Sequence, residues 1–271
     1  MGSWTLDDIP WARFDAARVD PEIMRIVKAA SVVEYNGANY ASHLCRVFAD
    51  DPAFQDAARQ WGNEEVQHGA ALARWVTLAD PGFDFPAAVG RFRAGYRIDF
   101  DIATSRRGSR AGEMLARCIV ETGTSSYYTA LREATAEPVL QEISRHIAAD
   151  ELRHYRMFYK HLGTCLAREK LSRWARLCIA LRRLAEADDD ELAYAYYAAN
   201  PLDGVYDRRR CSRAYARRAF ALYRRHHVER GIAMILKAIG LTPNRWLGRT
   251  LARLSWEFVR WRAGSLARAS S

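Results

Sequence analysis

Two short segments of the sequence each place a glutamate three residues before a histidine. The segment "DELRH" contains Glu151 and His154, and the segment "NEEVQH" contains Glu65 and His68. On an α-helix, residues i and i+3 lie on the same face about one turn apart, so each pair projects together. A single pair of this kind is typical of a surface ion pair or a hydrogen-bonded core histidine. Two such pairs in one chain need a common explanation.

A lone glutamate stands about thirty residues upstream of each pair. Glu34 is the only acidic residue of the stretch "ASVVEYNGANY", and Glu121 is the only one of "MLARCIVETGTSSYY". The order along the chain is therefore Glu, Glu-x-x-His, and then again Glu, Glu-x-x-His. This order indicates an internal repeat of two helical hairpins.

A dinuclear metal site in a four-helix bundle requires this order. One glutamate from each of two helices and a Glu-x-x-His from each of the other two converge in the bundle core. Two divalent ions neutralise four carboxylates, which would repel one another if they were buried without metal. Imidazole and carboxylate suit iron or manganese, and open coordination positions allow oxygen to bind. We therefore predict two iron ions, with manganese in one position as an alternative. The six predicted ligands are Glu34, Glu65, His68, Glu121, Glu151 and His154.

Capping residues followed by proline mark helices that must carry these ligands. The Asp-Pro dipeptide at 20–21 combines an N-cap with a proline at the first helical position, and it predicts a helix to about Phe48. The same dipeptide at 51–52 predicts the helix of the first pair, which ends near Asp80.

The second half of the chain repeats these signals. Ser109 opens a predicted helix to about Ala136, and Glu-Pro at 137–138 starts one that runs to at least Leu166. Residues 81–108 mix proline, glycine and aromatic residues. We expect them to form a long crossover between the two hairpins.

The composition fits a protein with a large core. The chain has 271 residues, of which 49% are hydrophobic, and it can form one large domain or one and a half. No stretch reaches the roughly 18 apolar residues of a membrane-spanning helix, and the N-terminus lacks an apolar signal core. The five cysteines are odd in number. They indicate reduced thiols, so we expect a cytoplasmic protein.

The stretches "NEEVQHGAALARW" and "ETGTSSYYTALREATAEPVLQEISRHIAADELRHYRMFYKHL" resemble the two halves of the soluble acyl-carrier-protein desaturases, which belong to the ferritin-like superfamily. The likeness covers about residues 20–165, and the "DELRH" form also occurs in bacterial multicomponent monooxygenases. It implies that the six residues named above are iron ligands. The predicted fold is all-α: a ferritin-like four-helix bundle with a long crossover over residues 1–170, then a basic, arginine-rich helical extension over residues 171–271.

The resemblance also implies roles for residues beside the ligands. Thr124 corresponds to a threonine beside the oxygen site of the desaturases. Asp150 matches an acid that orients a ligand histidine of the other pair, and by the internal symmetry Glu64 serves the opposite histidine. Arg153 fills the place of an arginine in the family pattern. The corresponding residue of the first pair is Gln67, so one ion pair beside the site is expected to be missing.

The last third of the chain is strongly basic. Residues 192–271 contain 16 Arg and Lys against 4 Asp and Glu, and the whole chain has a net charge of +9. From Asn244 onward, large apolar residues alternate with arginines, as in an amphipathic basic helix. Residues 207–262 therefore suit an acidic carrier protein or an anionic membrane surface, and less well RNA, because no RNA-binding module is recognisable. They equally suit the solvated face of a packed helical extension.

Three functions stay open from the sequence. The first is an O2-activating di-iron oxidase or oxygenase that desaturates or hydroxylates an acyl or other lipid-like, apolar substrate, with electrons from a donor protein. The second is a rubrerythrin- or ferritin-like protein that handles peroxide or iron, and the third is an RNA-modifying di-iron hydroxylase. We favour the first function, which an apolar channel to the metals would support. A homodimer and a peripheral attachment to the inner membrane also stay open.

Overall fold

Helices begin in the computed structural model where a side-chain oxygen satisfies the first free backbone N–H groups. Asp20 and Asp51 both accept such bonds, and a proline follows each of them in the first helical turn. Ser109 and Glu137 cap the two long helices of the second half in the same way. The four helix starts predicted from the sequence are confirmed.

The structure describes residues 4–96, 105, 107–186, 190–200, 205–243 and 246–268. Within these ranges the regular elements are helices and there is no strand, so the all-α prediction is confirmed. None of the described helices combines the length and the apolar character that crossing a membrane requires. The helices of the first two thirds are α1 (Pro21–Glu34), α2 (Gly37–Val47), α3 (Pro52–Ala79), α4 (Phe85–Gly95), α5 (Arg110–Ala134) and α6 (Pro138–Glu169).

The single helix predicted to about Phe48 is wrong, because the chain turns at Tyr35 and Asn36 between α1 and α2. The turn packs tightly against α3. A Cβ atom on Gly69 would lie 2.4 Å from the backbone nitrogen of Tyr35, and a Cβ on Gly37 would lie 2.3 Å from Cβ of Glu65. Two glycines therefore allow the turn to approach the stretch of α3 that carries the first pair.

The predicted crossover is partly helical. α4 lies inside it, and Asp84 caps this helix by accepting a bond from the backbone N–H of Ala87 at 2.9 Å. Residues 97–104 and 106 of the predicted crossover lie outside the described residues.

The basic C-terminal part is helical, as predicted. Its elements are α7 (Arg173–Ala185), α8 (Asp190–Ala199), α9 (Arg208–Leu222), α10 (Arg225–Ile239) and α11 (Trp246–Arg268). α8 packs against α1, α4 and α9, while α10 packs against α5 and α11. Tyr196 of α8 is buried in the same apolar cluster as Ile26 of α1. The extension thus shares the core of the long helices.

Two apolar clusters occupy different levels of the long helices. On α3, Trp61 belongs to one cluster and Leu72 to the other, and on α6 the same holds for Phe158 and Ile147. The two Glu-x-x-His pairs lie between these levels. Apolar packing therefore holds a polar layer in place from both sides.

Candidate metal centre

The six predicted ligands converge in this polar layer, and all of them are buried. α1 and α5 each supply one glutamate, while α3 and α6 each supply a glutamate and a histidine. We call Glu34 and Glu121 the lone glutamates, Glu65 and Glu151 the pair glutamates, and His68 and His154 the ligand histidines.

The ligand atoms form two overlapping groups, and within each group they all lie within 4.8 Å of one another. The groups are Glu34, Glu65, His68 and Glu151, and Glu65, Glu121, Glu151 and His154. Both pair glutamates belong to both groups. A carboxylate has two oxygens and can offer one to each of two neighbouring cations. The geometry therefore describes two adjacent cation positions that share two carboxylates.

Each ligand histidine turns Nδ1 toward the carboxylates. Nδ1 of His68 lies 3.3 Å from Oε2 of Glu65 and 3.5 Å from Oε1 of Glu151. Nδ1 of His154 lies 3.1 Å from Oε1 of Glu65 and 3.6 Å from Oε2 of Glu121. These inward nitrogens are available as ligands, whereas Nε2 of each ring faces other partners.

The acid directly before each pair glutamate holds the histidine of the other pair. Oδ2 of Asp150 lies 3.1 Å from Nε2 of His68, and Oε2 of Glu64 lies 2.6 Å from Nε2 of His154. Arg153 donates to both acids, at 2.5 Å to Oδ1 of Asp150 and at 2.8 Å to Oε2 of Glu64. A carboxylate on Nε2 fixes the orientation of a ligating imidazole. α3 and α6 therefore each orient the other helix's ligand.

Trp4 supports the site in a way that the sequence did not indicate. Its indole Nε1 donates to Oδ2 of Asp150 at 2.7 Å, and its backbone carbonyl accepts from the side-chain amide of Gln67 at 2.8 Å. Its ring stacks on His68 with 6.1 Å between the ring centroids. At the position where the desaturase pattern has an arginine, Gln67 thus supports Asp150 through Trp4.

Two hydroxyl groups bond to ligand carboxylates. Oγ1 of Thr124 donates to Oε2 of Glu151 at 2.6 Å, and the hydroxyl of Tyr128 donates to Oε1 of Glu34 at 2.5 Å. Sequence reasoning selected Thr124 but missed Tyr128. The missed residue follows Thr124 by four positions, so helical spacing places it on the same face of α5 and could have indicated it.

Burial and mutual repulsion shift the pKa values of the carboxyl groups. Burial raises the pKa of both lone glutamates well above the usual range, and charge on nearby pair glutamates raises it further. Burial also opposes ionisation of the pair glutamates. Hydrogen bonds and charge from the ligand histidines outweigh it, so the pKa of each pair glutamate is lowered.

The ligand histidines shift in the complementary direction. Burial opposes their protonation, but hydrogen bonds to the surrounding carboxylates outweigh it and raise the pKa of both imidazoles well above the usual range. Without metal, these directions favour protonated lone glutamates, ionised pair glutamates and two imidazolium rings, a combination in which the formal charges of the six ligands cancel.

The residues fit two divalent metal ions. Oε2 of Glu121, Oε1 of Glu151 and Nδ1 of His154 are buried without a hydrogen-bond partner in the described part of the chain. Such atoms cost free energy unless something binds them. Two divalent ions would supply four positive charges for four ionised glutamates, with both imidazoles neutral. The cluster can therefore hold metal without a net buried charge.

A cavity of about 550 Å³ opens beside this cluster. Both lone glutamates, both pair glutamates and Thr124 form part of its wall. Val33, Trp61 and Val120 are the large apolar side chains among the described lining residues, and most of the others are charged or hydroxyl-bearing. The described wall therefore mixes charged and apolar surface and is not the wholly apolar channel expected for a long lipid-like substrate.

The basic C-terminal part presents a groove lined by arginines. Arg208, Arg209 and Arg213 of α9 and Arg262 of α11 enclose about 290 Å³ together with Ser212. We call this the basic groove. Among the described residues, it shares no lining side chain with the cavity at the metal centre.

An apolar stripe lies on the same helix as Arg262. Leu254, Phe258 and Trp261 of α11 are 61%, 52% and 63% exposed, and their spacing places them along one helical face. If the basic C-terminal part were only a packed extension, Leu254 and Phe258 would be expected to be buried. We call these three residues the apolar stripe.

Glu133, His226 and His227 form a third group close enough for a cation. The two carboxylate oxygens lie 3.0 Å from Nε2 of His226 and 3.2 Å from Nε2 of His227. Arg224 already lies 3.4 Å from the same carboxylate, and Glu133 and His226 are exposed. This group is adequately explained as a surface ion-pair cluster.

Comparison of the chain with protein-family models and with curated proteins found no match. Fold and site together define an all-helical protein in which four glutamates and two histidines form a buried cluster that can hold metal.

Proposed function

We propose that this chain is an oxygen-activating oxidase or oxygenase with two iron ions, built on a ferritin-like four-helix bundle. The observation that carries the proposal is the sharing of Glu65 and Glu151 by two ligand groups whose other members are one lone glutamate and one histidine each. Two hairpins, one of α1 and α2 with α3 and one of α5 with α6, support the bundle assignment. Carboxylate and imidazole donors favour iron, with manganese in one position as an alternative.

The chain's own residues have separate tasks in this proposal. Glu64 and Asp150 orient the ligand imidazoles, and the apolar clusters above and below the ligands exclude water on the sides away from the cavity. The Thr124 hydroxyl lies at the boundary between Glu151 and the cavity, where it can hold or pass a proton at Oγ1. Iron bound at the six ligands would supply O2 binding and electron transfer. Electrons would come from a donor protein.

The cavity guides the choice of substrate. Its wall carries charged side chains beside apolar ones, which favours a small organic molecule with a polar group, including a short acyl compound, over a long unbranched acyl chain.

We also propose that the basic groove and the apolar stripe dock on an anionic membrane surface. A helix with exposed apolar and aromatic side chains beside arginines matches the interface between headgroups and acyl chains. Leu254 favours a membrane over RNA, because an aliphatic side chain gains from burial among acyl chains and does not stack on bases.

The test is metal stoichiometry combined with oxygen consumption. Protein loaded with Fe2+ without air should bind two iron ions per chain and should consume O2 when air is admitted. Glu121→Ala and Glu151→Ala should reduce the bound iron sharply, because each removes a carboxylate from a charge-balanced set. Glu229→Ala, which changes a half-buried carboxylate paired with Arg225, is the matched control. Full occupancy in both site variants, or a single ion per chain, would refute the proposal. Uptake far beyond two ions would instead indicate iron storage.

A further inference from the structure

The cavity beside the metal centre contains charged side chains that the cluster does not use. They are Arg107, Arg117, Arg183, Glu113, Glu186 and Glu191. Their formal charges sum to zero, but their hydrogen bonds are unevenly distributed. That difference identifies the groups that are available to a ligand.

The three carboxylates already have partners. Arg107 donates from Nη1 and Nη2 to the two oxygens of Glu186, both at 2.5 Å. The hydroxyl of Ser105 donates to Oε2 of Glu113 at 2.9 Å, and the hydroxyl of Tyr40 donates to Glu191. None of these acids needs a further group to satisfy it.

Two of the arginines are not satisfied in this way. Nε of Arg117 is buried without a hydrogen-bond partner among the described residues, and its ion pair with Glu113 spans 3.8 Å, beyond hydrogen-bonding distance. The structure gives Arg183 no hydrogen-bond acceptor within the described ranges, although this side chain also lines the cavity. Burial and the like charge of Arg117 both lower the pKa of Arg183. Two guanidinium groups thus line one space, and among the described residues neither donates a hydrogen bond to a carboxylate.

We infer that Arg117 and Arg183 bind the carboxylate of the substrate, which is a small organic acid. Guanidinium groups match carboxylates because their N–H donors form parallel bonds to two oxygens. A singly charged acid suits the site better than a phosphate, since three glutamates line the cavity besides the four ligand glutamates and would repel a dianion. The inference rests on the proposed function, because it assigns the substrate of that same centre.

The placement of Arg117 orients the acid. Arg117 precedes the ligand Glu121 by four residues on α5, which is one helical turn or about 6 Å along the axis. Thr124 lies almost one turn beyond Glu121, on the cavity wall. A substrate held by its carboxylate at Arg117 therefore extends its carbon chain past Glu121 toward Thr124, and the carbons nearest Thr124 are those that the centre would oxidise.

Calorimetry on the iron-loaded protein without air tests this inference, with hexanoate and benzoate as probes and hexanamide as the neutral counterpart. Wild-type protein should bind both acids and should bind hexanamide far more weakly. Arg117→Gln and Arg183→Gln should each weaken hexanoate binding about 10- to 100-fold, the range for a lost charge-assisted hydrogen bond. Arg117→Lys should restore part of the affinity. Arg182→Gln, which changes the exposed neighbour of Arg183 on α7, should leave it unchanged.

The outcomes separate this inference from the proposed function. The inference is wrong if wild-type protein binds neither acid, or if it binds hexanamide as tightly as hexanoate. It is also wrong if both Gln variants bind hexanoate with the affinity of wild-type protein. The last result would mean that the acid binds elsewhere, for example directly to the metal. Iron content measured on every variant reports on the centre itself. If no preparation holds two iron ions but hexanoate binding still depends on both arginines, the oxidase proposal fails and the carboxylate site stands.

Discussion

Metal binding should expel protons from the centre, and their number follows from the charges of the six ligands. Near pH 6 the metal-free site should hold four dissociable protons, one on each lone glutamate and one on each ligand histidine, because the pKa values of all four groups are raised well above their usual ranges. The pair glutamates are ionised, because their pKa values are lowered. Two divalent ions require four carboxylates and two neutral imidazoles, so binding should release about four protons per chain.

The number of released protons should fall as the pH rises, because the metal-free protein then loses some of them by itself. Because protonation is coupled to folding, the stability of the metal-free protein also depends on pH. A group whose pKa is raised in the folded protein contributes its full stability below its pKa in the unfolded chain, which is about 4.3 for glutamate and about 6.5 for histidine. This contribution is lost as the pH rises through the pKa of the folded protein. Between the unfolded and folded pKa, each such group costs about 1.4 kcal/mol of stability per pH unit. The melting temperature of metal-free protein should therefore drop by several degrees between pH 6.5 and 8.5, while metal-loaded protein should change little.

Titration calorimetry with Fe2+ in two buffers of different ionisation enthalpy counts the released protons, and scanning calorimetry gives the melting temperatures. Glu229→Ala is the control, since its carboxylate is half-buried, pairs with Arg225 and belongs to neither ligand group. Identical heats in the two buffers would show that no protons leave. A metal-free protein that becomes more stable as the pH rises would show that the assigned protonation states are wrong.

Two further changes test the surroundings of the centre and the basic C-terminal part. Asp150→Asn should weaken metal affinity or activity about 10- to 100-fold, because the carboxylate that orients His68 is lost. Circular dichroism should show that the helices are intact. A variant with the metal affinity of wild-type protein would contradict this prediction. Phe258→Ala and Trp261→Ala should each reduce sedimentation with vesicles of anionic lipid about 10-fold, and added salt should reduce it further, because both apolar burial and charge attraction are weakened. Leu78→Ala, which changes another exposed apolar position, is the control. Membrane docking would be refuted if the protein sedimented equally with zwitterionic vesicles. It would also be refuted if RNA or an acidic carrier protein retained the protein instead.

Local chemistry explains why the starts of the long helices could be predicted. An acid or serine before the first turn satisfies free N–H groups whatever the rest of the chain does, so the signal at Asp20, Asp51 and Ser109 is visible in the sequence. The turn after Glu34 had a local signal too, the Asn-Gly dipeptide at 36–37. The prediction extended the helix from its N-cap and did not use this signal. What decides the turn is the close approach to Gly69, a contact between helices that no local pattern contains.

The difference between local sequence signals and contacts that only the fold creates also separates the parts of the site. Repetition along the chain made the ligand set visible. The resemblance to the desaturases implied the role of Asp150, and the internal symmetry then indicated Glu64 at the same place in the other repeat. Trp4 has no such counterpart. It lies 146 residues from the carboxylate to which it donates, and only the fold brings them together. Arg117 and Arg183 likewise meet because α5 packs against α7, and neither has a spacing that distinguishes it from the other arginines of the chain.

Crossed bracing explains how this site can exist before metal arrives. The acid that orients His68 belongs to α6, and the acid that orients His154 belongs to α3, with Arg153 bonded to both acids. Neither helix can rotate or slide without breaking a buried, charge-assisted hydrogen bond to the other. Protons on the lone glutamates and on the imidazoles would meanwhile balance the charges of the six ligands without metal. The six ligands are therefore held in place without metal, and in the proposed function metal binding would be an exchange of protons for cations rather than a rearrangement of the helices.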